Sequence, residues 1–281
     1  MALEHLLDSG SSLTCGGWWA GYAPATVGIR SGTTDRIDSV TDKSGNGWTL
    51  SNADSTDTDH PQLVADGWRF TANGDHHLKN TSFSQDWDSV TVFACFTFLE
   101  SPHNMLVVSQ DNGNIFGDFM VMLRKNSSGD DMDWRYIVGG GSAVTLDTDI
   151  SDAFVTGIRR AITFIVAPTA DDYVRLRLSS HTSATDSAVV QTYDSGEVTD
   201  TSSSGGMLGS AADDGLWVNS NQYHSAWYTA GLDLHELILF DGVCSATEIT
   251  RIEHHMLNHG PPESPTQTPP GIGLGTKSRR S

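Results

Sequence analysis

Short runs of β-branched and aromatic residues, interrupted at intervals of roughly ten to fifteen residues by Asp, Asn, Gly and Ser clusters, constrain this chain most. The runs fall at 90–98, 105–109, 119–123, 134–138, 160–166, 174–178, 188–193, 216–219 and 232–240. Between them lie turn-forming stretches such as Asp111-Asn112-Gly113-Asn114, Gly139-Gly140-Gly141 and Ala170-Asp171-Asp172. Many short strands without intervening helices predict an antiparallel sandwich rather than a βαβ protein. Within 173–178 the alternation is strict: Val174, Leu176 and Leu178 take one face, Arg175 and Arg177 the other.

A single segment reads as helix, and it closes the domain. The apolar strand at 232–240 ends at Asp241-Gly242, a turn pair. Ser245 and Glu248 then form a capping box, in which the serine oxygen accepts the N3 amide and the glutamate reaches back to the N-cap amide. Ile249, Ile252, Met256 and Leu257 share a broad helical face. Asn258-His259-Gly260 followed by Pro261-Pro262 ends the helix, because glycine takes the left-handed C′ position and proline cannot continue.

This order of strand, turn, capped helix and Gly-Pro exit resembles the closing element of the concanavalin A-like lectin/glucanase superfamily, in its LamG-type jelly-roll form. A second match is Asp42-Lys43-Ser44-Gly45-Asn46-Gly47-Trp48, where the family has a short strand and an Asp-x-Ser-Gly-Asn-Gly turn. His60-Pro61-Gln62-Leu63 with Gly67-Trp68-Arg69-Phe70 falls where the family's next segment lies. The resemblance implies an all-β concanavalin A-like sandwich with one short C-terminal helix over residues 13–260, and such domains occur in phage structural proteins. Residues 1–12 read as an N-terminal arm and 261–281 as a Pro-rich tail that cannot build a core of its own.

The formal net charge is −19, with 35 acidic residues against 16 basic ones. That disfavours nucleic acid and anionic membranes as partners of the domain body. No apolar run reaches the length of a membrane-spanning helix. The N-terminus lacks the basic region and apolar run of a signal peptide. Three widely spaced cysteines (Cys15, Cys95 and Cys244) predict free thiols rather than a disulfide framework. Together these features suggest a protein made in a host cytoplasm and assembled into a virion.

Glycan-cleaving members of the superfamily carry paired carboxylates alternating along one strand face, since acid and nucleophile must flank one glycosidic bond. Here Asp130-Asp131, Asp171-Asp172 and Asp213-Asp214 are adjacent pairs in turns, and Glu236 stands alone in its strand. The expectation is therefore no catalytic residue and no enzyme. No metal site and no cofactor is expected either, although a loop rim leaves room for a structural calcium. Asp42 does not open an EF-hand, whose twelfth position would be Ala53 instead of glutamate. His76-His77 and His254-His255 with His259 read as surface histidines.

Carbohydrate binding is the sharper functional expectation. Trp217, Asn219, Asn221, Tyr223, Trp227 and Tyr228 combine aromatic faces with amides, as sugar sites do, against the alternative that the tryptophans simply pack. For Trp18-Trp19, strand alternation allows one indole in the core and sends the other towards solvent, a partner or an arm. Partner contacts are expected from Leu3, Leu6 and Leu7 on the arm, and from Pro269, Pro270, Lys277, Arg279 and Arg280 on the tail. The leading reading is a non-enzymatic capsid decoration or fibre component that contacts other virion proteins and itself. A lectin-like adhesion module for a cell-surface glycan is the alternative, and a glycan hydrolase or lyase the third.

Overall fold

The computed structural model describes residues 3–52, 59–71, 76–83, 85, 87–99, 105–111, 119–125, 132–138, 144–147, 156–167, 173–183, 186–199, 215–219 and 231–258. The first strands are β1 (Thr14–Ala20), β2 (Val27–Ile29), β3 (Ile37–Thr41), β4 (Thr49–Ser51), β5 (Gln62–Val64) and β6 (Gly67–Phe70). β7 (Leu78–Asn80), β8 (Val90–Phe98), β9 (Met105–Asp111), β10 (Phe119–Lys125), β11 (Met132–Val138) and β12 (Val144–Asp147) follow. Then come β13 (Arg159–Ala167), β14 (Tyr173–Ser183), β15 (Asp186–Asp194), β16 (Val198–Thr199), β17 (Gly215–Val218) and β18 (Leu232–Asp241). Helix α1 (Ala246–Asn258) closes the described chain.

The strands form two antiparallel sheets, the jelly-roll sandwich expected from the sequence. The first sheet runs β15-β14-β13-β8-β18-β6-β5, with β1 also on β18 and β16 on β14; the second runs β12-β11-β10-β9-β17-β7-β4-β3-β2. Alternating residues of both sheets face inward and make the main core, with Trp19, Trp68, Phe70, Phe96 and Phe98 among its largest side chains.

The closing strand β18 is the spine of the first sheet. It pairs with β8 along one edge and shares its other edge between β6 and β1. Leu232, Leu234, Leu237 and Leu239 point into the main core, whereas Ile238 and Phe240 point to the opposite face. A bulge between Leu234 and Glu236 shifts the register, so His235 is the extra residue and Glu236 lies opposite Cys95.

The outer face of the first sheet is covered by a second core. Ile249, Ile252, Met256 and Leu257 of α1 pack on Trp18, Phe93, Cys95, Ala161, Ile165, Ile238 and Phe240. This cover explains why β18 is apolar on both faces instead of alternating. It also resolves the tryptophan pair: Trp19 enters the main core, and Trp18 lies under the helix.

The capping box forms as read from the sequence. Ser245 N donates to Glu248 Oε2 at 2.7 Å, and Glu248 N donates to Ser245 Oγ at 3.2 Å. The N-terminal segment joins the helix rather than standing off as a separate arm. Leu3 and Leu6 lie in a short 3-10 turn and are buried in the second core. Asp8 N donates to Glu248 Oε1 at 2.9 Å, Ser245 Oγ donates to Asp8 Oδ2 at 2.9 Å, and the Arg251 guanidinium ion-pairs with Asp8. Arg251 also donates to the Leu6 and Leu7 carbonyls. The tail at 261–281, with Pro269, Pro270, Lys277, Arg279 and Arg280, lies outside the described residues.

The Asp42–Gly47 segment is a turn stitched to β1. Asp42 Oδ1 accepts from the Trp18 and Ser44 amides, both at 2.8 Å, while Oδ2 takes the Ser44 hydroxyl and the Asn46 amide. Asn46 Nδ2 donates to the Cys15 carbonyl at 2.8 Å. All three cysteines are free, and burial pushes the thiols up, Cys95 to about 11 and Cys15 and Cys244 to about 12.

Candidate functional site

With the first sheet covered by helix and N-terminal segment, the second sheet presents the sandwich's other outer face. β17 lies inside that sheet between β9 and β7. Leu216 and Val218 enter the core, so period-two alternation sends Trp217 outward. Trp217 stands opposite Lys79 on β7, whose amine sits 4.9 Å from the indole centroid. The His77 ring lies 5.9 Å away, tilted by 33°.

Asn219, just past the strand, takes a left-handed φ of 62°. Asparagine tolerates this conformation better than most side chains. Asn219 is fully buried, and its Nδ2 donates to the His76 carbonyl at 3.1 Å. Its Oδ1 is buried without a hydrogen-bond partner. The site thus offers an aromatic plate, an imidazole, an ammonium and a spare amide acceptor. Trp217 itself is 7% exposed, so Lys79 must move for the plate to be used.

Of the residues expected here, the structure brings Trp217 and Asn219 together; Asn221, Tyr223, Trp227 and Tyr228 lie outside the described residues. His77 and Lys79 were missed. The β7 alternation Leu78 in, Lys79 out was the available signal. The surface reading of His76-His77 is corrected, because both rings are buried. Of the C-terminal histidines, His254 is exposed and His255 is mostly covered.

A second polar constellation lies on the first sheet, beneath α1. Glu236 is not alone there, as its strand position had implied. Its Oε1 accepts from Trp18 Nε1 at 2.6 Å and from Tyr22 OH at 3.0 Å, while Oε2 is buried without a partner. The Lys43 amine covers both aromatic rings, 3.9 Å from Trp18 and 4.7 Å from Tyr22. Burial pushes the Glu236 carboxyl above its ordinary range, against the opposing pull of the Trp18 and Tyr22 hydrogen bonds and of Lys43 and Arg159. A second buried glutamate, Glu253, takes Thr163 Oγ1 at 2.6 Å, Ser179 Oγ at 2.8 Å and Arg177 Nη2 at 3.1 Å, pinning α1 to the sheet. Among the described residues no cluster of His, Cys, Asp and Glu has the arrangement of a metal site.

The antiparallel two-sheet sandwich recurs in solved structures. A Trypanosoma rangeli sialidase in complex with 2,3-difluorosialic acid matches with a TM-score of 0.51 at 12% identity, over 84% of this chain and 32% of that one. Full-length tailspike protein 2 from the Escherichia coli O157:H7 bacteriophage CAB120 matches with a TM-score of 0.51 at 12% identity, over 82% and 29%. This chain therefore spans about a third of the length of these structures. No family model matches the chain, and no curated protein matches it in sequence.

These similarities overturn the expectation that the chain is not an enzyme, because the first solved structures it matches are sialidases. The missing strand pair of carboxylates had excluded one catalytic layout only. No helix among the described residues is long and apolar enough to cross a membrane.

Proposed function

We propose that this chain is a glycan-recognition sandwich whose binding surface is the outer face of the second sheet around Trp217. The observation that carries the reading is the convergence of Trp217, His77, Lys79 and Asn219 from two neighbouring strands and their ends. An indole face stacks on the C–H face of a sugar ring, and imidazole and amide groups take its hydroxyls. Lys79 shields the indole at an expected cost to displace of about 0.5–1 kcal/mol, the size of a partly exposed cation–π contact.

The test is a glycan array followed by titration calorimetry on the folded protein. Trp217→Ala should weaken the best glycan at least tenfold, about 1.4 kcal/mol. Lys79→Ala should tighten a neutral glycan by uncovering the ring, and a variant of that kind leaves the core untouched. A folded wild type that binds no glycan removes the reading.

Fold likeness to a phage tailspike protein supports placing such a module on a virion, in contact with other virion proteins and with further copies of itself. In that setting it serves adhesion to a cell-surface glycan. Mass spectrometry of purified particles checks the placement, and absence of the chain from them rules it out.

A further inference from the structure

A group of side chains on the first sheet has a chemistry that glycan binding does not use. Thr97 is the half-buried residue of β8, otherwise buried along its length. Its Oγ1 lies 2.9 Å from His235 Nε2. His235 is the extra residue of the β18 bulge, which turns its ring towards the neighbouring strand and the β5–β6 turn. Its Nδ1 faces two oxygens of Asp66 in that turn, the carbonyl at 3.1 Å and Oδ2 at 3.4 Å.

Both oxygens are acceptors, so Nδ1 carries the proton. The neutral ring then has its lone pair at Nε2, and the Thr97 hydroxyl donates to it. The tautomer is thus set by the partners. The Asp66 carboxyl is held below its ordinary range, chiefly by the hydrogen bond from His235 and further by the charge of Arg159, despite opposing burial.

Arg159 stands directly across from Thr97 in the β13–β8 register. Its Nη1 contacts Asp66 Oδ2 at 3.2 Å and its Nε points to Cys95 Sγ at 3.2 Å. Nη2 is buried and has no partner, on a side chain only 10% exposed. A buried guanidinium N–H without an acceptor costs free energy that an incoming oxyanion would recover.

We infer that Thr97, His235 and Asp66 form a hydroxyl–imidazole–carboxylate relay that cleaves a short-chain acyl ester, with Arg159 Nη2 as donor to the developing oxyanion. Thr97 Oγ1 attacks the ester carbonyl carbon as its proton passes to His235 Nε2. The bond from that carbon to the alkoxy oxygen breaks, and the imidazolium protonates the departing alcohol. Water then attacks the acyl-threonine, giving its proton to Nε2. Release of the carboxylic acid returns a proton to Thr97, so ester and water become acid and alcohol. Asp66 holds the ring without touching substrate. A small acyl group suits a nucleophile embedded in a strand, with Arg159 opposite and His235 beside it.

The test is turnover of 4-nitrophenyl acetate by the full chain, with intact-mass and peptide mass spectrometry on samples quenched early. Thr97→Ala should lose on the order of 10²–10⁴-fold in rate, the scale of a lost proton-transfer or nucleophilic group. Thr97→Ser should restore turnover, and Asp66→Asn should lower kcat with KM little changed. Acetyl should appear on the peptide containing Thr97. A folded Thr97→Ala chain that hydrolyses at the wild-type rate overturns the inference, as does acetyl found on lysines alone. Wild-type turnover no faster than that of the heat-denatured chain also overturns it. Glycan binding by the Thr97→Ala chain is unaffected, so the two proposals stand or fall separately.

Discussion

Glu236 gives the clearest residue-scale consequence of the fold. Its folded pKa lies above the ordinary glutamate value because burial disfavours the charge. Between those two values the folded state binds the proton more tightly, so stability falls as pH rises through that window. Above the window, ionised Glu236 is a standing cost. Glu236→Gln keeps an oxygen for Trp18 and Tyr22 and removes that cost. The variant should therefore have a higher urea midpoint than wild type at pH 8, with the gap closing as pH falls towards about 4.3. Parallel denaturation curves at pH 8 and pH 5 measure it, and an equal gap at both refutes the burial argument. Gly67 is constrained in a different way: a Cβ there would lie 2.7 Å from the Leu234 carbonyl oxygen and 3.0 Å from His235 Nδ1. The β5–β6 turn can approach β18 this closely only because Gly67 has no side chain.

At the scale of elements, the N-terminal segment and α1 act as one unit. The helix cap uses Ser245 and Glu248, and Asp8 ties into both by donating its amide to Glu248 and accepting from the Ser245 hydroxyl. Leu3 and Leu6 complete the apolar contact, each contributing roughly 1.5–3 kcal/mol by burial. Removing residues 1–8 should lower the unfolding free energy by about 3–6 kcal/mol as an upper estimate, read from denaturant midpoints. A truncated chain with an unchanged midpoint shows that the segment does not pack as described. The capping box was legible in the sequence because all its atoms lie within four residues. The docking of Leu3 and Leu6 was not, because an amphipathic turn of leucines looks the same whether it meets its own helix or another protein.

At the scale of the whole molecule, the sandwich is held without covalent cross-links. Cys15, Cys95 and Cys244 are free and Cys95 is fully buried. Stability therefore comes from two apolar cores, and the melting temperature should be the same with and without reductant. A fall on reduction would reveal a disulfide that the described geometry lacks. The two cores divide the surface into unlike faces: one sheet is covered by helix and N-terminal segment, and the other carries Trp217. Thr97, His235, Asp66 and Arg159 come together on the outer face of the first sheet, next to Cys95 of the second core, with Asp66 169 residues from His235 and 93 from Arg159 in the chain. Sequence spacing searches find carboxylates sharing a strand, so they pass over a group assembled from four separate segments.

The amino-acid sequence by itself determined the sandwich class, the closing strand, the capped helix and the Asp42 turn. Each rests on local periodicity or hydrogen bonds within a few residues, which the chain carries wherever it goes. Only the tertiary structure decided that Ile238 and Phe240 meet a helix while Leu237 and Leu239 meet the other sheet, since all four are simply apolar in sequence. It likewise decided that Glu236 is surrounded, that Trp217 lies under Lys79, and that Thr97 faces an oriented imidazole. Burial, tautomer and charge depend on which distant segments pack together, and strand pairing across the sheets settles that.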